Sequence, residues 1–371
     1  MKSCFLALVL FLLPVLAQDQ KQRFVINVGT PEGQMLQAIG QETDEAKKLV
    51  LMQDFLAKYP KHEGASWVSG QLQAVYLNQK PPDYDKVIEA GEKGLAGDPA
   101  DLDLAYNNLK AAEGKGDPDL VKTWASRTSE NARKITAKTP ADDEEKDRAK
   151  YAKQLDGYCE YALSAVVAKV SDPKKVVELV EALEQLNPKS QYLEHVSGVY
   201  LVDLGKTGQA GKQCGAAERL GAANSKDVDA LIFAADCNLR GNRADRAIAE
   251  STRALEALGS KTDAEVSNRK GALAGRANWI AGLAYGAQQK WGLANKSLRA
   301  ALPAVKGDPQ LAAAAYFSLG LANYNMGKAV GDKGQTREGL QFFQQCAEIK
   351  SNFQDQAAKN VRTIKVELGI R

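Results

Sequence analysis

The sequence predicts an all-α fold, a stack of about eight antiparallel helix hairpins closed by a C-terminal capping helix. Three observations predict it. Small residues Ser164, Gly198, Ala234, Gly282 and Gly320 recur within apolar helical segments at separations of 34, 36, 48 and 38 residues, the span of a helix-turn-helix repeat. Six pairs, Thr30-Pro31, Asp98-Pro99, Asp117-Pro118, Thr139-Pro140, Asp172-Pro173 and Asp308-Pro309, put a capping side chain before a Pro that loses no hydrogen bond at the first helical position. Finally, 44% of the chain is hydrophobic but only 7% aromatic, with 31 glycines, so small side chains dominate and helix axes can approach closely.

The N-terminus comes first in the chain. Lys2 precedes an unbroken apolar run, Phe5 to Leu13, followed by Pro14-Val15-Leu16-Ala17 and the polar Gln18-Asp19-Gln20. That order reads as a cleavable signal peptide over 1–17, with the mature chain opening near Gln18 and an N-terminal extension over 18–29. The run is shorter than the roughly 20 apolar residues that span a bilayer. Cys4 lies ahead of most of it, the wrong place for a lipid-modified cysteine. A periplasmic or secreted product is therefore expected. Lys and Arg number 49 against 46 Asp and Glu, a balance with no nucleic-acid footprint. No later stretch is long enough to cross a membrane, so no span is expected after signal cleavage.

The clearest unit runs from Tyr316 to Gly327, with Leu319-Gly320 three residues after the aromatic and Gly327 at the turn, then from Glu338 to Ala347 through Phe342, Phe343 and Cys346. It resembles the tetratricopeptide repeat. The same template falls on Gly282, Tyr285, Ala294, Leu298 and Ala301, and on Gly198, Leu201, Gly205, Ala210, Cys214 and Ala217; Ala234 to Ala254 fits with one extra turn residue near Asn242. Tyr161 to Pro188 closes on Ala182-Leu183-Glu184-Gln185-Leu186-Asn187-Pro188, close to the family's repeat ending. The resemblance implies a right-handed α-solenoid over 30–371, clearest at 157–188, 191–220, 227–258, 275–304 and 313–350. Weaker hairpins cover 30–60, 63–99 and 102–135. The 48-residue interval implies an extended helix from near Thr262, and the Gly- and Lys-rich Lys328 to Arg337 implies a lengthened turn. Phe353 to Leu368 reads as the cap that such arrays need.

Several patterns are explained without chemistry. Gly205-Lys206-Thr207 lacks the earlier Gly of a phosphate loop, since Tyr200 stands there, and no strand precedes it. The only histidines, His62 and His195, belong to no zinc pattern. Asp142-Asp143-Glu144-Glu145 suits the first turn of a helix, where acids complement the macrodipole. The expectation is a non-enzymatic protein with no catalytic residue, metal or cofactor.

The repeat register, carried over from the family, implies two further features. Cys214 falls in a second helix and Cys237 in the following first helix, which pack together, so a bridge between them is implied beside the alternative of two small buried residues. First helices line a concave groove, and their groove positions correspond here to Tyr106, Tyr158, Tyr161, Tyr192, His195, Leu231, Asn238, Arg276, Trp279, Phe317, Leu321, Tyr324 and Asn325. Exposed aromatics give an interface affinity at low entropic cost, although each ring could instead wedge between neighbouring first helices as core. Members that clamp chaperone tails carry Lys, Asn and Arg at the fifth and ninth positions. Those positions hold Tyr161, His195, Leu231, Trp279 and Phe317, and Ala165, Val199, Ala235, Leu283 and Leu321, so an apolar or extended peptide fits better. The expected function is a scaffold of the periplasm or cell envelope that binds a protein or peptide segment; the alternative is carbohydrate binding by the same aromatics.

Overall fold

The computed structural model describes residues 25–260 and 264–370. The expected signal peptide, residues 1–17, lies outside them. Among the described residues the chain forms 17 helices and no strand, and no helix is long and apolar enough to cross a membrane. The chain divides into two compact units, Met1–Lys169 and Val170–Arg371.

The first unit comprises α1 (Pro31–Gln41), α2 (Glu45–Lys58), α3 (Ala65–Asn78), α4 (Tyr84–Gly97), α5 (Leu102–Lys115), α6 (Pro118–Thr136) and α7 (Asp143–Val167). Each helix packs on the next, and α3 also touches α5, as α5 touches α7. The second unit comprises α8 (Pro173–Leu186), α9 (Leu193–Lys206), α10 (Ala210–Ala223), α11 (Val228–Arg240), α12 (Ala244–Ser260), α13 (Ala264–Ala287), α14 (Trp291–Val305), α15 (Pro309–Val330), α16 (Lys333–Ala347) and α17 (Gln354–Leu368). Here too each helix packs on its successor, and the odd helices α9, α11, α13 and α15 touch in series. Sequential packing with one row in mutual contact is the arrangement of a helical solenoid, and within each unit the touching row forms the tighter, inner side.

Helix starts follow the capping chemistry. Thr30, Asp117, Asp172 and Asp308 each accept backbone N–H bonds at the first turn, ahead of a Pro. Asp142 caps α7, whose first turn holds Asp143, Glu144 and Glu145. Two of the six Pro pairs do not start helices. Asp101, not Asp98, caps α5 by accepting from Asp103 N and Leu104 N, while Asp98 closes α4 and accepts from Ala100 N. Likewise α7 begins at Asp143 rather than at Pro140. In both cases an Asp three residues later caps the helix instead, Asp101 through two first-turn amides and Asp142 through Glu145 N.

The extended helix expected near Thr262 is α13, 24 residues long. The lengthened turn expected over Lys328 to Arg337 is absorbed into helix: α15 runs to Val330 and α16 starts at Lys333, with Gly331 in the left-handed conformation at φ 69°. The helices expected to pair over 157–188 fall in different units, α7 in the first and α8 in the second.

Buried amide side chains bridge helices inside each unit. In the first, buried Gln73 donates through Nε2 to Asn108 Oδ1 (2.8 Å) and accepts at Oε1 from Asn107 Nδ2 (3.0 Å). In the second, buried Asn295 donates to Asn323 Oδ1 (2.7 Å) and accepts from Arg299 Nε (2.6 Å). A disulfide joins Cys214 on α10 to Cys237 on α11, with Cα atoms 5.7 Å apart. Cys159 and Cys346 are buried free thiols.

Candidate interaction surface

The inner helices come close to their partners because small residues stand at the contact. A Cβ on Gly282 would lie 2.7 Å from Leu298 Cγ, and one on Gly320 would lie 2.8 Å from the Phe343 ring. These positions let α13 seat on α14 and α15 on α16.

In the first unit, Tyr106 on α5 meets Tyr158 on α7 edge-on at 5.7 Å, and Tyr158 meets Tyr161 at 5.8 Å. The Tyr158 hydroxyl accepts from Lys110 Nζ (2.8 Å) and donates to Glu113 Oε2 (2.7 Å), and the Lys110 and Glu113 charges pair at 2.8 Å. Burial, reinforced by the Glu113 charge, pushes Tyr106 up to about 12. The same causes hold Tyr158 neutral well above the ordinary phenol range. Tyr161, 41% exposed, is the ring of the three that reaches furthest into solvent. The cluster is a closed polar network under one accessible ring.

In the second unit the expected residues separate into four sets, one for each of α9, α11, α13 and α15. Tyr192, half-buried, precedes α9, and His195 is exposed on that helix. The α9 stripe continues through Val199 and Val202, 41% and 42% exposed. Leu231 and Asn238, by contrast, do not reach the surface: Leu231 is fully buried, and Asn238 is 3% exposed and donates to Ala234 O (2.9 Å) while accepting from Arg243 Nε (2.7 Å). The residues of α11 that are accessible instead are Asp229, Asp236 and Arg240, each two residues away from an expected position. Two residues turn a helix by about 200°, so the accessible stripe is charged and lies on the face opposite Leu231 and Asn238.

The α15 set lies under the cap. The Phe317 ring sits 5.5 Å from Phe343 and 5.1 Å from Phe353. Leu321 and Tyr324 pack with Phe317 against a core that includes Ala357 and Ile364 of α17, and the Tyr324 hydroxyl donates to Glu367 Oε1 (2.9 Å). Asn325 donates to Leu321 O (2.8 Å). The α17 helix occupies the place of a next first helix, so Phe317, Leu321 and Tyr324 serve as its packing surface.

The accessible middle of the row is the pair α11 and α13. Trp279 is half-buried against their shared core, and Leu283, one turn further along α13, is also half-buried. Arg269 reaches from α13 to Asp229 on α11 with two hydrogen bonds, 2.7 and 3.2 Å. Seven residues further along α13, Arg276 is exposed and places its guanidinium 4.6 Å from the centroid of the nearly buried Phe233 ring. Asp236, seven residues after Asp229, is held by Arg240 at 3.0 Å. The family register singled out Arg276 but not Asp229, Phe233, Asp236 or Arg269. The signal that could have found them is the shared seven-residue spacing of Asp229 with Asp236 and of Arg269 with Arg276.

Elsewhere in this unit a surface groove across α8 to α10 is lined by Glu181, Glu184, Tyr200 and Arg219, where the Arg219 fork closes on Glu184 at 3.0 Å per bond. His62 is tied locally, its Nδ1 accepting from Gly64 N (2.9 Å). Asp227, 3% exposed, caps α11 and accepts from Ser197 Oγ (2.8 Å) and Ala230 N (3.0 Å). Burial pushes its carboxyl up to about 7 against those hydrogen bonds. Among the described residues no group of three or more His, Cys, Asp or Glu side chains is placed to hold a metal ion. The chain matches no protein-family model and no curated protein.

Proposed function

We propose that the chain is an exported scaffold of tetratricopeptide type, with about eight hairpins, that binds a protein or peptide segment along the inner row of its second unit. The observation that carries this reading is the accessible apolar content of that row. Val199 and Val202 are exposed on α9, and Trp279 and Leu283 are half-buried on α13. Side chains of this kind on packed helices lose little freedom on binding, which is how an interface gains affinity. The Cys214–Cys237 bridge supports export, since disulfides persist in oxidising compartments.

The test is site-specific photocrosslinking in cells that produce the full chain. A benzophenone side chain at Val202 or Leu283 should give a discrete protein adduct, and one at Thr252, exposed on α12, should not. Equal adducts at all three positions, or adducts at Thr252 alone, would count against the inner row.

A further inference from the structure

Resting on that reading, we infer that the partner segment is acidic and that one of its Asp or Glu side chains docks on Arg276. Two helices with matching heptad spacing set up two equivalent rungs across the row. In the first, Arg269 of α13 is neutralised by Asp229 of α11 in a two-bonded pair. In the second, Asp236 and Arg276 stand seven residues further along their helices, yet Asp236 pairs with Arg240 (3.0 Å) and Arg276 lies on the Phe233 ring (4.6 Å). Among the described residues no carboxylate contacts Arg276. The first rung is closed and the second is open.

An arginine stacked on a ring keeps the edge of its guanidinium, with its hydrogen-bond donors, directed outward, and that fork matches a carboxylate. Stacking also fixes the side chain before binding, so less rotamer freedom is lost when the carboxylate arrives. Trp279 and Leu283, one and two turns along the same helix, offer apolar contact beside the charge. The row continues on both sides of Arg276, so the geometry suits a chain that passes through and presents a side-chain carboxylate.

The charge of the surrounding sequence agrees. Residues 268–330 carry eight Lys and Arg and a single acid, Asp308, while the rest of the chain carries 41 basic and 45 acidic residues out of totals of 49 and 46. This long stretch of positive sign attracts an acidic segment and speeds its encounter.

The test uses the full mature chain and a display library of random peptides of about ten residues, each fused at its C-terminus so that only side-chain carboxylates are available. Wild type should enrich Asp and Glu. The best binder should lose at least about tenfold in affinity on exchange of its acid for the amide, as expected for a charged hydrogen-bonded pair. Arg276→Gln should lose a similar factor and no longer distinguish the two peptides, a coupling that a double-mutant cycle reads directly. Unchanged far-ultraviolet circular dichroism would show that the variant folds. Peptides selected without acidic preference, or an acid effect that persists in Arg276→Gln, would overturn the inference while leaving the peptide-binding reading intact. Recovery of no peptide by wild type would bring down both.

Discussion

Two hairpins of the second unit, α9 with α10 and α15 with α16, are built on one plan but held by different means. Helix α16 buries Leu340, Phe343 and Cys346 against α15, and its N-cap Asp332 accepts from both Gly334 N and Gln335 N. Helix α10 buries only Ala216, Ala217, Leu220 and Gly221 and has no side-chain cap. At about 25 cal/mol per Å² of apolar surface, a helix of Ala and Gly gains much less from burial than one carrying Phe and Leu. The Cys214–Cys237 bridge sits on the poorer helix. A crosslink that closes 23 residues contributes about 3 kcal/mol by restricting the unfolded chain, of the order of the missing aromatic burial. Covalent restraint and side-chain burial thus substitute for one another along one stack.

This contrast can be broken from either side. Phe343→Ala removes the largest contact of the aromatic hairpin and should cost about 3–5 kcal/mol in denaturant unfolding; a loss below 1 kcal/mol would remove the basis of the contrast. Cys214→Ala with Cys237→Ala should cost about 3 kcal/mol. Amide hydrogen exchange should then accelerate in α10 and leave α15 and α16 unchanged, and uniform acceleration would contradict local restraint.

The cap that follows α10 adds a pH dependence. Burial raises the Asp227 carboxyl from its ordinary 3.8 to about 7, so the folded state binds this proton more tightly than the unfolded chain. Its contribution is fully present below about pH 3.8 and is lost as pH rises through about 7. The difference in stability between wild type and Asp227→Asn should therefore shift against wild type between pH 4 and 8, on the order of 4 kcal/mol. A flat difference would show that the cap does not titrate in this range.

Two glycine substitutions sharpen the comparison at the smallest scale. Gly320→Ala forces a Cβ to within 2.8 Å of the Phe343 ring and should destabilise by about 1–3 kcal/mol. Gly215→Ala on exposed α10 meets only the Arg219 guanidinium at 3.8 Å and should stabilise by about 0.5–1 kcal/mol through helix propensity. Thermal melts of the two variants should move in opposite directions.

Much of the helix framework was legible beforehand because caps and breakers act locally. Asp117, Asp172 and Asp308 start helices through bonds made within one turn, and no distant residue is needed to find them. The surface was less legible. On α11, Val228-Asp229-Ala230-Leu231-Ile232-Phe233-Ala234-Ala235 is apolar at every position but Asp229, and that run by itself does not choose between two opposite faces. On α15, Phe317, Leu321 and Tyr324 look the same to a sequence pattern whether they meet a partner or α17.

The sequence by itself therefore determined an all-helical chain, most of its helix starts, the long α13 and the heptad spacing of Asp229 with Asp236 and of Arg269 with Arg276. Each of these depends on residues within a few turns of one another. Only the tertiary structure decided which of those charges are closed and which is open. That choice turns on Asp236 bonding along its own helix to Arg240 while Arg276 comes to rest on Phe233 of the neighbouring one. Such an outcome is a competition among partners brought together by packing, and the spacing of any one helix does not contain it.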